Sequence, residues 1–293
     1  MTSLASNPAA SNPAASNPAA RNRRKYRVGD SLLWVYTLLA LVFLLTPIVY
    51  TIVFSFNDSV RSNTVWEGFT IHHWTNVCDQ PGICEAVGNS FFIGGVATLV
   101  ATIIGTMMAI ALVRYRFRAR SFVSLLLFLP MATPEIVMGA GLAALFFLLQ
   151  TNGLDTFAFG YTTIILAHIM FCISFVVVTV KARVQTLDPV LEEAARDLYA
   201  NPFKVFLKVT FPLLLPGIVS AALLSFALSF DDFIITYFNN GATKTFPLFV
   251  YVSAARGVPA EANVVSSAVF LVAITVVIVM QVVSAMRRKK YSA

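Results

Sequence analysis

Charge is scarce in this sequence. Asp, Glu, Lys and Arg together make up 12% of its 293 residues, half of the roughly 25% found in soluble globular domains. Hydrophobic residues make up 58% and the mean hydropathy is +0.77. Together these exclude an ordinary soluble domain, because most of the chain has no water to face. Cysteine is scarce as well: three residues exclude a disulfide scaffold and a multi-Cys metal framework. No Gly-x4-Gly-Lys-Ser/Thr segment occurs, and Asn240-Gly241-Ala242-Thr243-Lys244-Thr245 does not fit one, so the chain cannot hold ATP in a P-loop. His72 and His73 are adjacent, so they point apart, and no cluster beside them completes a metal site.

What is present is a series of long apolar runs. A bilayer core about 30 Å thick needs ~20 apolar residues per helix. Six runs qualify: 32–56, 90–113, 122–149, 160–180, 212–236 and 263–286. All are too long for barrel strands of ~9–11 residues, so six transmembrane helices and an all-α polytopic membrane protein are predicted. The third run is interrupted by Pro130, Pro134 and Glu135; the fourth carries His168 and Cys172. Residues 30–290 form the transmembrane domain. Residues 1–29 are expected to be a disordered cytoplasmic tail, since their Ser-Asn-Pro-Ala-Ala repeats from Ser6, Ser11 and Ser16 carry no apolar stripe. No secretory signal is expected, because the run after Asp30 is long enough to remain as a span.

The net charge of +7 is explained by topology. Eighteen of the 21 Lys and Arg residues lie in the tail, the 114–120 loop, the 181–208 loop or beyond Met286, which leaves Arg61, Lys244 and Arg256 for the other side. The positive-inside rule then puts both termini in the cytoplasm of a cell-membrane protein. The basic cluster from Arg21 to Arg27 marks the membrane surface, and no nucleic-acid partner is expected. Cys78 and Cys84 share an external loop, where the spacing leaves a disulfide open.

The longest cytoplasmic loop, Lys181 to Phe211, reads as two short helices. Asp188-Pro189 supplies a cap with Pro at the first helical position, and Glu192 and Glu193 suit the positive N-terminal end. Asn201-Pro202 starts the second helix in the same way, and Phe203, Phe206 and Leu207 form an apolar stripe on it. Such a stripe fits either the bilayer surface or a groove in a partner.

The loop also carries a longer pattern. Glu193-Ala194-Ala195-Arg196-Asp197-Leu198-Tyr199, followed by Val209-Thr210-Phe211-Pro212, resembles the EAA motif of the permease subunits of bacterial ABC importers. The likeness extends over Leu32 to Met286 through Asn89-Ser90-Phe91, the exit Arg114-Tyr115-Arg116-Phe117 and Pro134-Glu135-Ile136-Val137-Met138-Gly139. Ser229-Phe230-Asp231-Asp232-Phe233, Phe246-Pro247-Leu248 and the 257–263 stretch are similar to the second permease of spermidine/putrescine importers. The resemblance implies a type I importer core that forms half of a translocation path. It implies as partners a second permease, two copies of an ATP-binding cassette ATPase that bind ATP and Mg, and an extracytoplasmic binding protein. This chain would then be no enzyme and hold no cofactor or metal, and would dock on the ATPase through Glu193, Ala194, Ala195, Leu198, Tyr199, Phe203, Phe206, Leu207 and Pro212. Tyr199 stands where the family has Gly. Tyr is unfavourable at positive φ, and Asn201 is the alternative place for the turn.

Carboxylates within the spans are expensive and must face a cavity or a partner. A continuous helix puts Glu135 ~22 Å beyond Arg120 and Asp231 ~28 Å beyond Pro212, both in the outer half. One role for them is local: Asp231 or Asp232 caps a following turn, and Glu135 bonds backbone freed by Pro134. The other is a path for a polycation, formed by Glu135, Asp231 and Asp232 with Phe230 and Tyr237. Importers of another solute and a proton-driven carrier using Glu135 and Asp231 are the competing classes.

Overall fold

The computed structural model describes residues 18–59, 65–255 and 257–291. Among them the chain is all-α, with one isolated antiparallel bridge between Asn57 and Phe69. Five helices are long and apolar enough to span a bilayer: Asp30–Phe54, Ile83–Arg114, Tyr161–Gln185, Pro202–Asp231 and Ala260–Val282. The pair Arg120–Ala132 and Glu135–Thr151 meets the same test only when taken together, and its two helices are bent by 111° at a short break.

The chain divides into two units, Met1–Phe54 with Ser267–Ala293, and Ser55–Ser266. The first unit contains helix α1, Pro18–Phe54. Most of its large apolar side chains are exposed, among them Leu32, Trp34 and Phe43, as on a span whose surroundings are apolar. Residues 1–17 of the expected tail lie outside the described residues. The helix starts at Pro18, inside the stretch 1–29 expected to be irregular.

The second unit is built on three packed helices, α3 (Ile83–Arg114), α6 (Tyr161–Gln185) and α9 (Phe211–Asp231). Small residues make this packing close. Ala97, Ala101, Gly105 and Ala109 recur every four residues and so share one face of α3. A Cβ at Gly105 would fall 2.6 Å from Val176 Cγ1, so any larger residue there would push α6 away. The core continues through Leu112, Phe171, Cys172, Val177, Val180, Leu214 and Ala221.

Two expected spans are not single straight helices. The third is divided into α4 (Arg120–Ala132) and α5 (Glu135–Thr151). Pro134 disfavours helical backbone at the residue before it, and Thr133 is extended at ψ 134°. The fifth is broken at Asp232, where ψ is 126°, before the short helix α10 (Ile234–Asn239). The straight-helix distances expected for Glu135 therefore do not apply, and both breaks carry carboxylates.

Outside the spans, α2 (His72–Thr75) and α11 (Phe246–Ala254) lie in the segments that connect them. Helix α12 runs from Ala260 to Tyr291. Cys78 and Cys84 are joined by a disulfide. Asn89-Ser90 and Phe246-Pro247, distant in sequence, meet here: the Phe246 N–H donates to Ser90 Oγ at 2.8 Å and Asn89 Nδ2 donates to the Lys244 carbonyl at 2.8 Å. His73 Nδ1 lies 3.0 Å from Glu261 Oε1, so this histidine, expected to stand alone, is tied to the start of α12. No group of three or more potential metal ligands occurs among the described residues.

Candidate functional site

The Lys181–Phe211 loop folds as two helices, α7 (Val190–Asp197) and α8 (Pro202–Val205). Both caps expected from sequence form. Asp188 Oδ1 accepts from the Val190 N–H at 3.0 Å, and Asn201 Oδ1 accepts from the Lys204 N–H at 2.8 Å. The α8 segment does not stop before the fifth span. It passes through a π-helical turn, Phe206–Thr210, directly into α9, so the span expected to begin at 212 continues a helix that starts earlier. In that turn the Phe211 N–H bonds to the Phe206 carbonyl.

Tyr199 is at φ 59°, the single positive-φ residue other than glycine among those described. It occupies the place where a helix C-terminus usually needs Gly, and the Ala200 N–H reaches back to the Ala195 carbonyl at 3.3 Å to close that end of α7. The turn has not moved to Asn201, whose φ is −69°; the expectation is corrected, because the closing hydrogen bonds of α7 fix where the left-handed residue must fall. The Tyr199 side chain is fully exposed at 100%, with Leu198 at 82% and Phe203 at 68% beside it in sequence. Val190, Leu191 and Leu207 are exposed as well, whereas Phe206 is half-buried near Phe211 and Val205 is buried. Glu193, Ala194 and Pro212 are exposed and Ala195 is half-buried. It is Glu192, not the motif residue Glu193, that binds the rest of the chain: its Oε1 accepts from Arg114 Nη2 at 2.9 Å and from the Thr210 hydroxyl at 3.1 Å.

In the membrane, the two broken helices lie together. Helix α5 packs on α10 at Gly139, where a Cβ would lie 3.0 Å from the Phe238 ring and 3.3 Å from the Ile235 backbone. Asn239 Nδ2 donates to the Gly139 carbonyl at 3.3 Å. The adjacent carboxylates Asp231 and Asp232 have different fates. Asp231 is exposed, as is Glu135 at the other break. Asp232 is buried. Its Oδ1 accepts from the Ile235 N–H at 3.3 Å; its Oδ2 accepts from the Thr236 N–H at 2.8 Å and the Thr236 hydroxyl at 2.9 Å. His168 Nε2 lies 3.2 Å from the same Oδ2 and 3.0 Å from Thr236 Oγ1. A ring nitrogen that faces a carboxylate donates to it, so in the neutral ring Nδ1 accepts the Ser229 hydroxyl at 2.7 Å. Asp232, grouped by sequence with the path, is therefore the cap of α10. Its charge is answered by four donors and by the positive end of that helix.

Asp231 and Glu135 are left facing outward, with aromatic rings nearby in the chain. Phe233 is 4.3 Å from Tyr251 and 5.7 Å from Tyr237, centroid to centroid. Phe230 turns the other way, against Phe91 and Phe226. Of the two rings grouped with the path by sequence, Tyr237 stands with Phe233 and Tyr251, and Phe230 stands with Phe91 and Phe226. His168 was missed, although an ionisable side chain within a span always calls for a partner, and Asp232 and Thr236 are one helical turn apart.

A helical membrane protein with an amphipathic loop between spans and a carboxylate-bearing helix break has the features of a transport permease. Residues 101–290 match the family described as binding-protein-dependent transport system inner membrane component, and the chain belongs to that family. It is thus a multi-pass inner-membrane permease, the class placed ahead of a proton-driven carrier. It is 36% identical over 243 residues to the spermidine/putrescine transport system permease protein PotC of Escherichia coli K12, covering 83% of this chain and 89% of that protein. It is also 36% identical over 235 residues to the putrescine transport system permease protein PotI of the same strain, covering 80% and 83%. Among solved structures, a bacterial ABC transporter involved in the import of the acidic polysaccharide alginate superposes with a TM-score of 0.60 at 19% identity, covering 89% of this chain and 97% of that one. The MetNI methionine ABC transporter superposes with a TM-score of 0.53 at 17% identity, covering 68% and 92%. These two likenesses concern the fold.

Proposed function

We propose that this chain is one of two permease subunits of an ATP-driven importer of polyamines. The observation that carries the cargo is the outward-facing pair Glu135 and Asp231 at the two helix breaks, with Phe233, Tyr237 and Tyr251 following in the chain. Ammonium groups spaced along an aliphatic chain suit carboxylates and ring faces together. The relatives named for spermidine and putrescine support the same cargo.

In this reading a second permease completes the path, and an extracytoplasmic binding protein delivers the polyamine. Two copies of a cytoplasmic ATPase bind ATP and Mg, and this chain contributes no catalytic residue and no cofactor site. Both termini lie in the cytoplasm. The docking surface is the exposed apolar set Val190, Leu198, Tyr199, Phe203 and Leu207, presented by a loop that is rigidly capped at both helices. An apolar patch of this kind on a cytoplasmic loop favours a protein groove over water.

The test is uptake of labelled putrescine or spermidine into vesicles that contain the complete assembly and the loaded binding protein. Uptake should require ATP hydrolysis, and Phe203→Asp should abolish co-purification of the ATPase while the chain stays inserted. A buried charge in an apolar groove costs roughly 2 kcal/mol or more. Uptake without ATP, or full ATPase retention by Phe203→Asp, would defeat the assignment.

A further inference from the structure

Three groups carry no role in the function above: the His73–Glu261 pair outside the membrane, the His168 network that caps α10, and the contact of Glu192 with Arg114 and Thr210. The first two complete themselves locally. The third joins elements that the transport cycle must move together, and it points to how the docking loop is attached.

Glu192 lies in the first turn of α7, one residue from the motif glutamate, and faces the protein rather than the surface. Its Oε1 receives Arg114 Nη2, the last residue of α3, and the hydroxyl of Thr210, the last residue of the π-turn. The pair is largely shielded, with Arg114 and Glu192 side chains 21% and 16% exposed, so it is stronger than an exposed pair. A second contact runs parallel to it: Arg183 Nε near the end of α6 donates to the Leu213 carbonyl at 3.2 Å. Its side chain lies on Gly217, where a Cβ would fall 2.7 Å from Arg183 Cγ. The cytoplasmic ends of α3, α6 and α9 are thus tied together, and α7 is tied to this group through one carboxylate. Apart from Glu192, the described residues of α7 hydrogen-bond only within their own turns and caps.

We propose that Glu192 is the positioning residue that makes docking helix α7 move as one body with α3 and α9, so that displacement of the loop by the ATPase reaches the membrane helices. It rests on the importer reading given above. A π-turn holds its register by side-chain and packing contacts because its backbone bonds are widened by one residue. Thr210, at the end of that turn, is therefore held by Glu192 where α9 begins. The prediction is mechanical: loss of the carboxylate charge leaves the ATPase bound and loosens the link between hydrolysis and movement.

The experiment uses the complete transporter in vesicles and measures uptake per ATP hydrolysed. Glu192→Gln and Arg114→Gln should each lower this ratio by about tenfold, within the usual range of coupling energies, while the ATPase still co-purifies. The double variant should be no worse than either single one, because both remove the same contact. Glu192→Cys with Arg114→Cys should be uncoupled when reduced and regain coupling when a short bifunctional thiol reagent joins them. Regained coupling supports a rigid link, whereas cross-linking that stops transport would mean the two residues separate in the cycle and would overturn it. An unchanged ratio in both Gln variants, or loss of the ATPase from them, would also overturn it. If the wild-type assembly itself shows no ATP-dependent uptake, the importer reading fails instead, and the two failures are told apart by that control.

Discussion

Replacing Asp232 by Asn separates a cap from a cargo ligand. Both oxygens of Asp232 are in use: Oδ1 receives the Ile235 N–H, and Oδ2 receives the Thr236 N–H, the Thr236 hydroxyl and His168 Nε2. An Asn amide has one acceptor oxygen. With its carbonyl at the Oδ2 position it keeps three partners but turns an NH2 toward the Ile235 N–H; flipped, it leaves three donors unanswered. In the better orientation, three charge-assisted bonds become neutral ones of roughly half the strength, and a buried NH2 group is left facing a donor at about 1–3 kcal/mol. The sum is a destabilisation of about 3 kcal/mol, far more than Asn costs at an ordinary exposed cap. Asp231→Asn alters an exposed side chain and should stay within about 0.5 kcal/mol of wild type, while uptake of labelled polyamine falls about 5- to 150-fold. The assay pairs thermal unfolding of the purified assembly in detergent with uptake into vesicles. His168→Leu should resemble Asp232→Asn in stability, and the double variant should cost less than both single costs added, since the two share a network. Wild-type stability of Asp232→Asn would refute the capping argument, and wild-type uptake by Asp231→Asn would remove that residue from the path.

Other expectations are simpler. Tyr199→Gly relieves a left-handed penalty of about 1–2 kcal/mol, offset in part by the roughly 0.5–1 kcal/mol that glycine loses on ordering; slower amide exchange at Ala200 would show the gain. The same variant removes an exposed ring from the proposed docking surface, so weaker retention of the ATPase should accompany the firmer turn. Cysteines placed near Arg118 or Arg288 should be labelled only after permeabilisation and one near Lys244 in intact cells; labelling of the Arg118 site in intact cells would overturn the topology. Glu135→Gln, at an exposed first-turn position of α5, should slow polyamine uptake about 5- to 150-fold without loss of assembly, and unchanged uptake would exclude it from the path.

Much of the chain was legible from its residues because the signals are local. Apolar runs set the spans, and Asp188 and Asn201 capped their helices as short-range hydrogen-bond chemistry requires. The gapped pattern from Glu193 to Pro212 placed the chain in its family. The two helix breaks were signalled less clearly: Pro134 marks one, but no proline marks the break at Asp232. That second break exists because the Asp232 cap, held by His168 from a different helix, stabilises a new start for α10.

Partnerships across the fold were not legible, since nothing local distinguishes their members. Asp231 and Asp232 are adjacent identical residues, and only the position of α6 makes one a buried cap and leaves the other exposed. Glu192 and Glu193 are likewise a pair of neighbours, and only the end of α3 selects Glu192 for Arg114. Tyr199 shows the reverse case: an unfavourable residue retains a left-handed turn because the backbone bonds that close α7 outweigh its local preference. Residue chemistry by itself determined that this protein spans a membrane and to which family it belongs. Tertiary packing decided which member of each like pair binds the chain and which is left exposed, because burial and donor geometry depend on helices far apart in sequence.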